Sequence, residues 1–264
     1  MSEKRSLFFR IRVGVLLVVL VGVGIYAIRD IRSRRERNEW ERTLNVAVIV
    51  MADADVDPLA VRNLRARAPL LAAKLRAEMK RFRGAEFSPF RFEVVGPVAI
   101  ETLAPSPRGD GLLDLAKYAW ENSRWVSRTD DRAGVNAGAY DTRIYVTVHK
   151  PKSEDRSFIE GRSQEGGHIG TVDVELDAEM SDTALIVIAH EMFHTLGATD
   201  RYDATGRIEL PDGLGDPKQV PLYPQMKAEI MARNRAVSPV KELIPIRIDE
   251  LAVGEKTAGE IGWK

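Results

Sequence analysis

Residues 184–203 read ALIVIAHEMFHTLGATDRYD, and the apolar run Ala184 to Ala189 leading into His190-Glu191-Met192-Phe193-His194 decides how the chain folds. An apolar run of this kind marks a buried helix. Positions four apart on a helix share one face about 5 to 6 Å apart, so both imidazoles can reach one ion. Glu191 sits one residue along, where its carboxylate can face a water instead of the ion itself. The chain has four histidines in 264 residues, and at this composition an accidental HExxH is expected roughly 0.005 times. Burying a glutamate between two core histidines with nothing to pair it is costly; a shared metal accounts for all three. Ser181 or Asp182 stands where a cap for the helix start is needed. Gly197 ends the helix in left-handed backbone, and Asp200 returns toward the ion three residues later. His190, His194 and Asp200 as ligands with a free fourth position are the pattern of a catalytic zinc site, since structural sites are closed by four.

Working outward, Leu44 to Met51 (LNVAVIVM) is a β-branched apolar run of strand length and reads as a strand buried on both faces. Asp57 and Pro58 open a helix in which Leu59, Leu64, Leu71, Leu75 and Met79 recur among basic residues, with an interruption expected at Pro69. A strand at Phe90 to Val95, a helix around Leu112 to Val126 and a strand at Arg143 to Val148 follow. Ile169 to Leu176 alternates apolar and polar residues as a half-exposed strand does, and the helix from about Asp182 comes next. The order βα, β, α, β, β, α predicts an α/β domain over residues 44–264, with a loop-rich part beyond Gly197 and a small closing helix near Thr257 to Trp263.

The first 43 residues differ. Val13 to Ile28 (VGVLLVVLVGVGIYAI) carries no charge, and with Leu7 to Arg12 it approaches the roughly 20 residues a bilayer requires, Arg10 and Arg12 snorkelling to the headgroups. A transmembrane helix over about 7–28 is expected. A cleaved signal peptide lacks its small-x-small site here, and arginine-dense flanks disfavour a buried core helix. Residues 31–43 read as a solvated helical extension or linker. Residues 1–43 hold ten basic and five acidic side chains, leaving the rest mildly acidic. The two flanks of the apolar run are too alike in charge to orient it; an extracytoplasmic domain is expected because an unregulated catalyst is more easily tolerated there.

Composition narrows the chemistry. Thirty-nine Lys plus Arg balance thirty-nine Asp plus Glu, so no nucleic-acid partner is expected. Cysteine is absent, which removes disulfides, thiolate metal sites and a cysteine nucleophile. Any metal must be held by His, Asp or Glu.

Through HTLGATDRYD the chain resembles the metzincin zinc metalloproteases, in the snapalysin type where aspartate replaces the third histidine. The resemblance implies a metzincin-like zincin domain with a mixed sheet and active-site helix, holding Zn2+ and cleaving protein or peptide substrates. It implies a Met-turn, for which Glu229-Ile230-Met231-Ala232 is the candidate, thirty-one residues after Asp200. It also implies an edge strand antiparallel to bound substrate, for which Gly170 to Glu175 is the candidate. In the mechanism expected from the residues, Glu191 acts as general base and then as proton donor to the leaving amine.

Other readings stay open at this level. A gluzincin-type peptidase would take Glu229 as third ligand, and a silent zinc-stabilised module would bind protein partners without catalysis. His149 and His168 are further candidate ligands, Tyr202 and Asp203 candidate braces of the ligand loop, and Tyr223 a candidate cleft residue. Asp53, Asp55 and Asp57 resemble a calcium loop, yet the EF-hand glycine position is Pro58 and the closing glutamate position is Leu64, so a polar loop before a helix is expected.

Overall fold

The computed structural model describes residues 2–84, 86–151, 159–163 and 166–264, divided into two compact units, Met1–Glu39 and Trp40–Lys264. The first is one helix, α1 (Ser2–Asn38), whose stretch Phe8–Asn38 is long and apolar enough to cross a membrane. It continues beyond the apolar run through the arginine-rich segment as one helix, but that stretch is not wholly solvated as expected, since Arg37 is buried.

The second unit is mixed α/β. Its first part runs β1 (Leu44–Ala52), α2 (Pro58–Arg83), β2 (Phe90–Ala99), α3 (Leu112–Ala133), β3 (Thr142–His149), β4 (Ile159–Ser163), β5 (Ile169–Glu175) and α4 (Ser181–Thr195). The remainder is loop-rich, holding the short strands β6 (Ala228–Glu229), β7 (Arg235–Ser238), β8 (Lys241–Leu243) and β9 (Leu251–Ala252) and the closing helix α5 (Glu255–Glu260). The main sheet has the order β2-β1-β3-β5-β4. Its first four strands are parallel, and β4 is antiparallel to β5 with Gly161 opposite Val172.

Period-two alternation makes β1 the centre of two cores. Val46, Val48 and Val50 face a large cluster shared with α2 and α4, while Ala47, Ile49 and Met51 face a smaller one with Trp125, Val126 and Tyr145. The layers are therefore α2 and α4, the sheet, and α3. Pro69 does not interrupt α2. It lies on the exposed side of the helix, where the carbonyl of Arg65 that its missing N–H would have met can turn to water.

One expectation is overturned. Gly170 to Glu175 is not an edge: β5 lies between β3 and β4, and β4 forms the border of the sheet. Alternation along a strand reports which faces are buried, whereas an edge is defined in the hydrogen-bonding direction, to which alternation is blind.

Candidate metal centre

α4 is buried over nearly its whole length because Ala184, Leu185, Ile188, Ala189, Met192 and Phe193 all enter the large core. A helix fixed this way holds its histidines rigidly. Neither Ser181 nor Asp182 caps it: Met180 occupies the cap position without a side-chain bond. Asp182 is drawn away instead, pairing with Arg67 (Oδ2 to Nη2 2.7 Å) and accepting from the Ile248 N–H at 3.2 Å. A bidentate guanidinium outcompetes a cap bond for a carboxylate. Gly197 behaves as expected, with φ 96° and its N–H on the His194 carbonyl at 2.9 Å.

The three expected ligands meet. His190 Nε2 lies 3.2 Å from His194 Nε2, and Asp200 Oδ1 lies 3.3 Å and 3.2 Å from the two nitrogens. Ligand atoms about 2.0 to 2.1 Å from a tetrahedral zinc stand roughly 3.3 Å apart, so this triangle has the dimensions of one face of such a site. The far nitrogens say which atoms point inward. His190 Nδ1 donates to the Ile230 carbonyl and His194 Nδ1 to the Ala198 carbonyl, each at 2.9 Å. With the protons placed there, both Nε2 lone pairs face the centre. Asp200 Oδ1 is buried and has no hydrogen-bond donor. Three electron-rich atoms this close require a proton or a cation between them, and the donor set suits zinc.

The charges follow. Burial pushes the Asp200 carboxyl up, but the imidazoles of His190 and His194 outweigh it and hold the group well below the usual carboxylate range. Burial lowers His194, and the carboxylates of Asp200 and Glu191 overcome this to raise it. A pocket this negative attracts a cation.

Glu191 stands beside the triangle, its Oε1 3.9 Å from His190 Nε2, within the group of His190, Glu191 and His194 whose ligand atoms lie inside 4.8 Å. Being farther from the nitrogen than Asp200 is, it fits a base better than a ligand. Its other oxygen accepts from Ser163 Oγ at 2.6 Å. Ser163 belongs to the border strand β4, and so does Gly161, where a Cβ would come within 2.1 Å of Glu191 Oε1. Neither residue was anticipated. IEGRS carries no strand signature strong enough to place it, and only the glycine hinted at a close approach.

The Met-turn candidate folds into a 3-10 turn, Ile230–Ala232, with Met231 fully buried. Its backbone does the holding: the Ile230 carbonyl fixes His190, and the Met231 carbonyl accepts the Arg201 N–H at 2.9 Å. Glu229 is not beside the imidazoles. Its oxygens accept from the N–H groups of Met231 (2.6 Å) and Gly254 (3.0 Å), and burial raises its carboxyl. The gluzincin alternative thus loses its ligand to the turn. α5 does more than close the domain, because Glu260 accepts from the Thr199 N–H at 3.0 Å and pairs with the buried Arg201 at 2.5 Å, clamping both sides of Asp200.

The remaining candidates divide. Tyr202 stacks on His190 (6.4 Å between centroids, 19°), and burial together with the Asp200 carboxylate pushes its hydroxyl up to about 12. Asp203 braces the next turn, accepting from Thr205 and Arg207, and does not reach the ligands. His149 lies between Asp53 (2.6 Å) and Asp173 (3.2 Å), and His168 bonds the Asp141 carbonyl; neither joins the triangle. Asp57 caps α2 through the Leu59 N–H at 2.8 Å, as a polar loop predicts. Tyr223 lines a separate hollow with Arg207 and Pro239.

Beside Glu191 a cavity of about 160 Å³ is walled by Ile186, Val187, Ile230, Ile244 and Pro245, with Tyr202, Arg233 and Asn234 at its polar side. Arg233 carries φ 63° and its guanidinium lies 5.4 Å from the Tyr202 ring centroid. An apolar hollow next to convergent polar groups is the usual form of a side-chain pocket. A scan against protein-family models finds none that matches this chain, and a search of curated proteins finds no similar sequence.

Proposed function

We propose that this chain is a zinc endopeptidase of the metzincin kind, anchored by α1 with its catalytic domain outside the cytoplasm. The observation that carries the reading is the triangle of His190 Nε2, His194 Nε2 and Asp200 Oδ1, with edges of 3.2 to 3.3 Å. Support comes also from the mixed sheet bordered by an antiparallel strand ahead of α4, and from the buried Met231 turn fastened to His190.

A zinc ion held by those three atoms supplies Lewis acidity, lowering the pKa of water and polarising a carbonyl. The chain's own groups do the rest. Glu191, steadied by Ser163, takes a proton from the attacking water as its oxygen bonds to the peptide carbon. The same carboxyl gives that proton to the departing amine as the C–N bond breaks. Among the described residues no strand pairs with the outer edge of β4, whose backbone groups could receive an extended peptide as a further strand of the sheet. The apolar cavity receives one side chain of that peptide.

Zinc analysis and peptide hydrolysis on the purified full chain test the proposal. Glu191→Gln is expected to keep the metal and lose hydrolysis by 10²-fold or more, as removal of a general base does. A chain that binds no zinc refutes the reading, and a Glu191→Gln protein as active as its parent favours a non-catalytic zinc module.

A further inference from the structure

The residue that leaves the Met231 turn is held in a conformation that suits glycine. Arg233 has φ 63° and ψ −42°, and across it the Asn234 N–H donates to the Ala232 carbonyl at 2.7 Å. This is a γ-turn of the rare, strained kind, and such strain in a bulky residue gathers at functional sites. The side chain is exposed, with its guanidinium 5.4 Å from the centroid of the Tyr202 ring, which in turn stacks on His190. Its neighbours in sequence and space are paired: Arg235 reaches Glu250 at 3.9 Å and Arg201 is held by Glu260. Among the described residues Arg233 meets no carboxylate. Glu242 in β8 is engaged elsewhere, accepting from the Ile208 N–H and from Asn234 Nδ2, each at 3.1 Å.

Arg233 also borders the cavity beside Glu191. Thr183, Ile186, Val187 and His190 recur at helical spacing on α4 and make one wall of it, a face about 10 Å long at the helical rise. Arg233 is the only Lys or Arg of that lining, and Glu191 the only carboxylate. With the two charges of zinc set against those of Asp200 and Glu191, the metal face is neutral, and Arg233 leaves the cavity one positive charge in excess. A neutral group seated there would cover an unpaired guanidinium, which is costly. A carboxylate meets it with two parallel hydrogen bonds.

We propose that Arg233 selects substrates by a carboxylate on the departing-amine side of the cleaved bond. This rests on the peptidase reading, in which Glu191 returns its proton to that amine, so the residue bearing the amine lies beside the cavity. An extended peptide advances about 3.4 Å per residue, and the guanidinium stands one ring beyond His190. The carboxylate then comes from one of two sources: the side chain of a glutamate just after the bond, or the free chain end one residue further on. In both cases one contact turns a general peptidase into a selective one.

The zinc-loaded full chain in detergent micelles digests a peptide mixture, and the cut sequences are read by mass spectrometry. Each is remade in matched pairs, Glu against Gln just after the bond with both ends blocked, and a chain ending one residue further on as free acid against amide. The expected result is a kcat/KM at least about tenfold higher for the acid in one of the pairs, as a charge-assisted bond requires. A preference in the first pair assigns the side chain, and in the second the chain end. Arg233→Gln brings the ratio to within about threefold of one, Arg233→Lys keeps part of it, and Arg233→Glu reverses it in favour of the neutral member. The same ratio is expected between the dissociation constants of a pair on the zinc-loaded Glu191→Gln protein, which reads the contact without turnover. An Arg233 that only braces Tyr202 would move the rates on all peptides alike and leave the ratio standing. Ratios near one in both pairs, or a ratio that Arg233→Gln does not lower, overturn the proposal while the peptidase reading survives. A chain that cuts no peptide refutes that reading, and the proposal falls with it.

Discussion

Replacing Gly161 by alanine should leave the metal bound and stop the chemistry. A Cβ there would lie 2.1 Å from Glu191 Oε1, 2.6 Å from Cδ and 2.9 Å from Cγ. Ordinary contact begins near 3.5 Å, so the carboxylate must retreat by more than about 1 Å. It can do so by rotating its flexible side chain, and the fold survives. The retreat abandons the Ser163 Oγ bond and takes the base out of reach of its proton. A misplacement of about 1 Å costs on the order of 10²-fold in rate, equivalent to about 2.7 kcal/mol of barrier. Zinc content should not change, because His190, His194 and Asp200 are held by Ile230, Ala198 and Glu260's clamp and not by β4. The assay is kcat/KM on an internally quenched peptide, with zinc measured by mass spectrometry on the same sample. A Gly161→Ala enzyme within about threefold of its parent would refute the placement of Glu191 as base. Parallel loss of zinc and activity would refute the division of labour between ligands and base.

Other outcomes follow from the same coordinates. Asp200→Asn should lose most bound zinc, whereas Glu229→Gln, altering a carboxylate that serves the Met231 and Gly254 N–H groups, should keep it at a stability cost of about 1–3 kcal/mol; zinc stoichiometry and urea melts decide, and the reverse pattern would restore Glu229 as ligand. Chelating the metal should lower the thermal midpoint, since free zinc at about 1,000 times its Kd stabilises the fold by about 4 kcal/mol; a midpoint indifferent to chelator contradicts a folded-state site. Burial pushes the Glu78 carboxyl up, but Lys74, the Val253 N–H and Arg81 outweigh it and hold the group below its ordinary 4.5. A lowered carboxyl stabilises the fold above that ordinary value, and the contribution is lost as pH falls through the folded value. Glu78→Gln should therefore destabilise at neutral pH and flatten the acid limb of stability against pH; parallel acid limbs in urea melts would show that Glu78 contributes nothing there.

Much of the centre was legible because its residues are close in sequence. HExxH needs only helical periodicity to bring His190 and His194 together, and Gly197 needs only its freedom at positive φ to bring Asp200 back. The turn around Met231 was visible as a resemblance, although the contact that matters, the Ile230 carbonyl on His190, is made by backbone and leaves no trace in residue type. Ser163 and Gly161 were hidden for a different reason: they meet Glu191 only because β4 reverses direction beside β5, a pairing that no local pattern encodes. The Asp182 cap failed because Arg67, 115 positions away, offers a stronger partner.

Local periodicity and spacing were enough to set the apolar helix α1, the α/β order, the buried helix α4 and the approach of His190, His194 and Asp200 to one another. Each depends on interactions within a turn or two of chain, whose energetics residue type decides. Which strand borders the sheet, which groups steady Glu191, and why Glu229 is occupied elsewhere emerged only when distant segments packed. Those outcomes turn on competition among partners far apart in sequence, and the winner is chosen by geometry that exists only once the core has closed.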